Sequence, residues 1–314
     1  MRNIFVVLFA VFLTTSCDDG DIITVDLSFD QELSICENNT ESYIVYDLRN
    51  DPSESLSLLF PRAGNESLFT DPTPENTPTM LSINGTTIRF IYRTYNRDIV
   101  DIVTNQEFCN TLTPADLVIL EDYEASSGDV EVTVTIVDDD NDGVPTAFEG
   151  ADPNGDGDFS DSLDTDGDGI FDYLDEDDDN DNVKTINEID NTDGDNDPTT
   201  NPMNTDFGLV NGDDIPDYLD TDDDGDLIPT IEEDEDGDLN PRDDLANNAD
   251  NIMVPHYLNT IETISYGNPG NTSNNIYTRT VTTSFLVKNI DIEILRTDNI
   301  DLGTLISTID IEQE

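Results

Sequence analysis

Asp164-Thr165-Asp166-Gly167-Asp168-Gly169-Ile170-Phe171-Asp172-Tyr173-Leu174-Asp175 is followed, after the single residue Glu176, by Asp177-Asp178-Asp179-Asn180-Asp181-Asn182-Val183-Lys184-Thr185-Ile186-Asn187-Glu188. Each stretch sets acids on alternate residues, turns, and closes on another acid at its twelfth place. A chain that must surround a hard cation with about six to eight oxygens needs this layout, with side-chain ligands at positions 1, 3, 5 and 12, a backbone carbonyl at 7, a further contact at 9 and glycine at 6. The first stretch offers Asp164, Asp166, Asp168, the carbonyl of Ile170, Asp172 and Asp175. The second offers Asp177, Asp179, Asp181, the carbonyl of Val183 and Glu188, with Asn182 in the glycine place, where Asn tolerates a left-handed backbone.

The same layout continues outward. Asp138, Asp140, Asp142, the carbonyl of Val144 and Glu149 fill every place of a loop with Gly143 at position 6. Asp222, Asp224, Asp226 and Glu233 fit another, but Leu227 stands where glycine belongs and is expected to distort the turn or weaken the site. The stretch from Leu209 to Asp220 supplies Asn211, Asp213, Asp217 and Asp220, leaving Asp206 or a neighbouring loop to provide the first oxygen. Partial loops open at Asp152, Asn154, Asp156 and Asp158, at Asp193 and Asp195, and at Asp234, Asp236 and Asp238, each without an in-register end. Oxygen-only ligands favour Ca²⁺: Mg²⁺ resists giving up its water, and Zn²⁺ would want His or Cys, which the region lacks. Apolar residues recur between the acids, with Val144, Ile170, Val183, Ile215 and Ile228 all at position 7, which predicts packing between loops and not a disordered acidic tract.

An EF-hand or a dockerin needs a helix beside each loop, and one intervening residue leaves no room for it. Abutting acidic loops with Asp-Gly-Asp cores resemble thrombospondin type-3 repeats over residues 138–244. That resemblance implies a chain wrapped around a row of Ca²⁺ ions, roughly six to ten here, with little apolar core and with ligands shared between neighbouring loops. The animal repeats carry paired cysteines and this region has none, so metal alone would hold it. Leu219-Asp220 and Asp222 repeat the context of Leu174-Asp175 and Asp177 at a distance of 45 residues, a sign of internal duplication.

Charge points the same way. The chain has 314 residues, 73 acidic against 11 basic, for a net −62. Residues 138–250 hold 42 of the acids and only Lys184 and Arg242 as cations. Such a balance excludes nucleic acid as a partner, which requires a cationic face.

Outside the acidic region, Arg2 precedes a ten-residue apolar run, Ile4 to Leu13, too short to span a bilayer and of signal-peptide length. Thr14-Thr15-Ser16-Cys17 resembles a relaxed lipobox of Bacteroidetes-like lipoproteins, which implies lipidation at Cys17 and a lipid anchor in the outer membrane. Asp18, Asp19 and Asp21 resemble the tag that sends such proteins to the cell surface. Export permits a disulfide, expected between Cys36 and Cys109. Seven β runs predict a β-sandwich over residues 18–137: Ile22–Leu27, Tyr43–Leu48, Leu56–Phe60, Thr86–Arg93, Ile99–Val103, Leu117–Leu120 and Val130–Val137. The layout is therefore a signal peptide (1–17), a β-sandwich (18–137), the irregular calcium-loop array (138–250) and a small C-terminal β domain (251–314), mostly β throughout. The expected function is that of a non-enzymatic, calcium-binding envelope lipoprotein, structural or adhesive toward an extracellular protein or glycan, with the array as a stiff spacer. The alternative is an envelope enzyme or a glycan-binding protein in which the array is only a linker.

Overall fold

A computed structural model describes residues 29–313 apart from 37–38, 75, 100, 103–104, 111–113, 191–193, 195–196, 198–199, 201, 272–274 and 294–298. The signal peptide, Cys17, the run Ile22–Leu27, and Asp193 and Asp195 lie outside the described residues. The fold is mostly β in antiparallel sheets, and its helices among the described residues are 3₁₀ turns of three or four residues. No helix among them is long and apolar enough to cross a membrane. By contact, the described residues divide into two compact units, one within 29–66, 74–133 and 284–305, the other within 67–73, 134–283 and 306–313.

The first unit is built on two sheets. One runs in the order β1 (Ser34–Ile35), β2 (Ser42–Asn50), β3 (Ser53–Pro61), β5 (Arg89–Tyr95) and β8 (Ile119–Glu124). The other, in the order β13 (Asn299–Gln313), β12 (Asn275–Asp291), β9 (Ser127–Thr135) and β4 (Thr79–Ile83), contributes the parts of its strands that fall within the unit. Strands β6 (Asp101–Ile102) and β7 (Asn105–Gln106) form a small hairpin. Alternation puts every second side chain of a strand on one face, and Val130 and Val132 of β9 with Phe285 and Val287 of β12 are fully buried that way. Phe60 of β3 meets Phe285 with ring centroids 6.2 Å apart, inside a core that also holds Leu56, Leu58 and Phe90. Cys36 and Cys109 are bonded, with Tyr46 stacked on Phe108 beside them at 4.4 Å.

Composition sets the last strands apart as a separate small domain, whereas the sheet order puts β12 next to β9. A strand such as β12, with alternate residues buried, needs neighbours along its edges, and β9 and β13 are those neighbours. The acidic region is thus bracketed in sequence by two adjacent strands of one sheet.

The second unit carries the acidic loops, a two-stranded hairpin of β10 (Leu245–Asn247) and β11 (Met253–Pro255), and the segment that follows it. Few large apolar side chains are buried here. Val144 and Val183 are fully buried, Ile170 and Ile228 half-buried and Ile215 exposed, so the packing expected from the recurrent apolar places holds at some and fails at others.

Candidate metal centres

Five loops share one wiring. The position-7 N–H donates to the position-5 carboxylate at 2.7–2.9 Å in Val144 to Asp142, Ile170 to Asp168, Val183 to Asp181, Ile215 to Asp213 and Ile228 to Asp226. The position-9 N–H reaches back to the carbonyl preceding position 1: Thr146 to Val137, Asp172 to Leu163, Thr185 to Glu176, Asp217 to Met203 and Thr230 to Thr221. In four of them a 3₁₀ turn then leads to the closing acid, over Asp172–Leu174, Thr185–Asn187, Asp217–Leu219 and Thr230–Glu232. Side chains spent on backbone donors in this way stand in for regular secondary structure.

Two sequence expectations change. Leu227 does not distort its turn: it takes φ +79° with its side chain 71% exposed, and its N–H donates to Asp222 Oδ2 at 3.0 Å as Gly143 N–H does to Asp138 Oδ2 at 3.1 Å. The loop ending at Asp220 begins at Asn204, not Leu209, and is five residues longer than the others. Asp213 N–H donates to Asp206 Oδ2 at 3.2 Å, the bond that Asp142 N–H makes to Asp140, so Asp206 holds position 3. Asn211 lies in the insertion, exposed, donating to the carbonyl of Gly225.

Positions 2 and 9 form a pair that the sequence reading passed over. Thr146 Oγ1 donates to Asp139 Oδ2 at 2.9 Å; Thr165 N–H and Oγ1 both donate to Asp172 at 2.8 Å. Asp178 N–H donates to Thr185 Oγ1, Thr205 N–H and Oγ1 to Asp217, and Asp223 N–H to Thr230 Oγ1. Each loop owns one Asp and one Thr in this pair.

Those position-2 and position-9 acids complete two buried clusters. Asp142 and Glu149 of one loop offer oxygens within 4.8 Å of Asp178 from another, and Asp181 and Glu188 do the same with Asp223. Asp172 and Asp217 add a fourth charge to each, so one cluster repeats the other from loop positions 5, 12, 9 and 2. Every member is at most 3% exposed. Both carboxylate oxygens of Glu149, Asp178, Glu188 and Asp223 have no hydrogen-bond partner. Burial, and then mutual repulsion, pushes the carboxyls of Glu149, Asp178 and Glu188 far above the usual range, and burial pushes Asp142 up to about 7. Buried carboxylates need a compensating cation. Of the two basic residues in 138–250, Lys184 pairs with Glu176 and Arg242 is exposed.

The within-loop clusters differ among themselves. Asp177, Asp179 and Asp181 are buried, with both oxygens of Asp179 unpartnered; Asp140 and Asp142 are buried beside half-buried Asp138. Asp164, Asp166 and Asp168 are more open. Asp224 and Glu233 are buried, and Asp222 and Asp226 each keep one oxygen without a partner. Asp152, Asn154, Asp156 and Asp158 have the opening bonds, with Gly157 N–H on Asp152 at 2.9 Å, and the loop closes through Asn154 on Asp161, Ser162 Oγ on the carbonyl of Ala151 and Leu163 N–H on that of Gly150. Asp234 is buried and accepts from Gly237 and Leu239, while Asp236 and Asp238 are exposed. The donors throughout are hard oxygens, which fits Ca²⁺. Asp178 and Asp223 are acids that the loop template did not assign, and Asp206, offered for the first oxygen, holds position 3 instead.

No protein-family model matches the chain, and neither the curated proteins nor the solved structures include a match to it.

Proposed function

We propose that this chain is a calcium-binding protein of a bacterial cell envelope, exported, lipid-anchored to the outer membrane through Cys17 and exposed at the cell surface. Its role is structural or adhesive, toward an extracellular protein or glycan, and not catalytic. The observation that carries the calcium reading is the pair of buried clusters whose carboxylate oxygens have no partner. A folded array with those oxygens ionised and uncompensated would be strongly destabilised, and several divalent ions remove that cost. The lipobox-like Thr14 to Cys17 and the acids after it support export and anchoring.

The test is a Ca²⁺ titration of the mature chain by calorimetry, with circular dichroism and small-angle scattering in chelator and in millimolar Ca²⁺. Several ions bound with compaction of the acidic unit is the expected result. Spectra and dimensions indifferent to calcium would sink the proposal.

A further inference from the structure

The turn that closes the loop ending at Asp220 recurs once more, past the end of the acidic region. Pro216-Asp217-Tyr218-Leu219-Asp220 has a counterpart in Pro255-His256-Tyr257-Leu258-Asn259. Each proline precedes a 3₁₀ turn, Asp217–Leu219 or His256–Leu258, and the residue after the turn donates its N–H back to the first carbonyl, at 3.0 Å from Asp220 and 2.9 Å from Asn259. Entry to the turn is alike too: Asp217 N–H donates to the carbonyl of Met203 and His256 N–H to that of Asp244. Both tyrosines are buried, Tyr218 against the first inter-loop cluster and Tyr257 against the second. Burial pushes both hydroxyls up, and the charges of Asp178 and Glu149 add to it at Tyr218, those of Glu188 and Asp223 at Tyr257.

What differs is that His256 and Asn259 stand where Asp217 and Asp220 do. Asp220 is among the charges that add to burial at Asp179, position 3 of its loop. Asn259 takes the same place beside Asp224, position 3 of the loop Asp222 to Glu233, where burial and neighbouring acids lift the carboxyl to about 7 and the Asn259 N–H opposes them. The Asn259 side chain is 1% exposed; its Nδ2 donates to Glu262 Oε2 at 3.0 Å, and its Oδ1 has no partner. An amide that spends its donor end on a carboxylate has only its oxygen left to offer. Asp222 Oδ1, Asp224 Oδ2, Asp226 Oδ2 and Glu233 Oε1 are likewise inaccessible and unpartnered. Glu262 lies 3.2 Å from His256 Nδ1, and its charge adds to burial at Asp226 and Glu233. Those two hold the positions 5 and 12 that Asp142 and Glu149 hold in their loop, so Glu262 stands to this loop as Asp178 does to that one. Tyr266 N–H on the carbonyl of Glu232 at 2.7 Å and Ser265 Oγ on its carboxylate at 2.6 Å fasten the segment to the loop.

We infer that the segment after the acidic region completes the calcium site of the loop Asp222 to Glu233, with Asn259 Oδ1 as a ligand and Glu262 as the acid that a following loop would otherwise supply. This rests on the calcium reading above and adds to it two ligands from outside the array. The test uses the full mature chain and Ca²⁺ alone. Calorimetry establishes calcium uptake, and hydrogen exchange at rising Ca²⁺ gives a calcium midpoint for residues 222–233 separately from that for 138–149. Asn259→Ala and Glu262→Gln should each raise the midpoint of 222–233 about tenfold and leave that of 138–149 in place. Asn259→Asp installs the acid found at Asp175 and Asp220 and should lower the midpoint of 222–233. Were Asn259 only an amide donor to Glu262, the new carboxylate would repel Glu262 and the midpoint would rise. If calcium is taken up and Asn259→Asp fails to lower the midpoint, if Asn259→Ala or Glu262→Gln leaves it unchanged, or if 138–149 moves equally, the inference falls and the calcium reading stands. If no calcium is taken up, both fall.

Discussion

The two units solve the problem of a protein interior with opposite materials. In the first, Leu56, Leu58, Phe60, Phe90, Val130 and Phe285 are buried and the stabilisation comes from apolar surface leaving water. In the second, the deepest side chains include Asp142, Glu149, Asp178, Asp181, Glu188 and Asp223, and burying them is unfavourable until something neutralises them. An apolar interior is complete once the chain has folded. An acidic one is conditional, because its stability depends on what the surrounding solution contains.

The sharpest way to break this contrast is to remove divalent ions. Hydrogen exchange in chelator should strip protection from residues 138–244 while β2, β3 and β5 keep theirs; equal loss in both regions would show that the interiors are not independent in kind. Reduction of Cys36–Cys109 should act on the other side of the comparison. The bond spans 73 residues, and the chain-entropy estimate puts its contribution at ~4 kcal/mol. A denaturant titration should show that loss in the signal of the first unit, and the calcium midpoint of the acidic unit should not move.

Smaller in effect, but reversed in sign between conditions, is Asp223→Asn. In saturating Ca²⁺ it removes a ligand from a four-acid cluster and should weaken calcium affinity about tenfold, ~1.4 kcal/mol. In chelator it removes one buried charge of like sign and should raise the melting temperature. Asp161→Asn, on an exposed loop tip, should do neither. Destabilisation in both conditions would mean that Asp223 has an ordinary structural role.

The smallest effect concerns an acid buried in the apolar unit. Asp47 is 3% exposed, and burial, with the charge of Asp30 second, lifts its carboxyl from 3.8 to about 7 although Gln31 N–H donates to it. Between those values the folded chain holds a proton that the unfolded chain has released. Stability therefore falls as pH rises from about 4 to about 7 and does not recover above it. Asp47→Asn should raise the melting temperature at pH 8 by ~2–4 °C, on the order of 1 kcal/mol, and leave it unchanged at pH 4. An equal shift at both pH values would discount the charge.

The loops were legible because their acids are set by local spacing: positions 1, 3, 5 and 12 can be read within twelve residues, and Asp138, Asp164 and Asp177 begin where the spacing puts them. Asp178 and Asp223 were not legible, since each meets the acids of another loop and nothing local marks it. Asp206 was named for the first oxygen, but a five-residue insertion moved it out of register and concealed that it holds position 3. In the sheets, β2, β3 and β9 follow their apolar runs, while β4, directly after Pro78, is absent from the expected β runs. The pairing of β12 with β9 joins residues about 150 apart, and strand composition carries no record of partners at that distance.

The Asp and Thr that share positions 2 and 9 change places from each closed loop to the next: Asp139 with Thr146, Thr165 with Asp172, Asp178 with Thr185, Thr205 with Asp217, Asp223 with Thr230. Each cluster draws one acid from a loop of either kind. The array thus has a parity. Gaining or losing a single loop would set two of the same kind side by side and leave a cluster with an acid too many or too few, whereas gaining or losing a pair preserves every cluster. The 45 residues from Asp178 to Asp223 contain one loop of each kind, so an insertion or deletion of that length would leave every cluster complete.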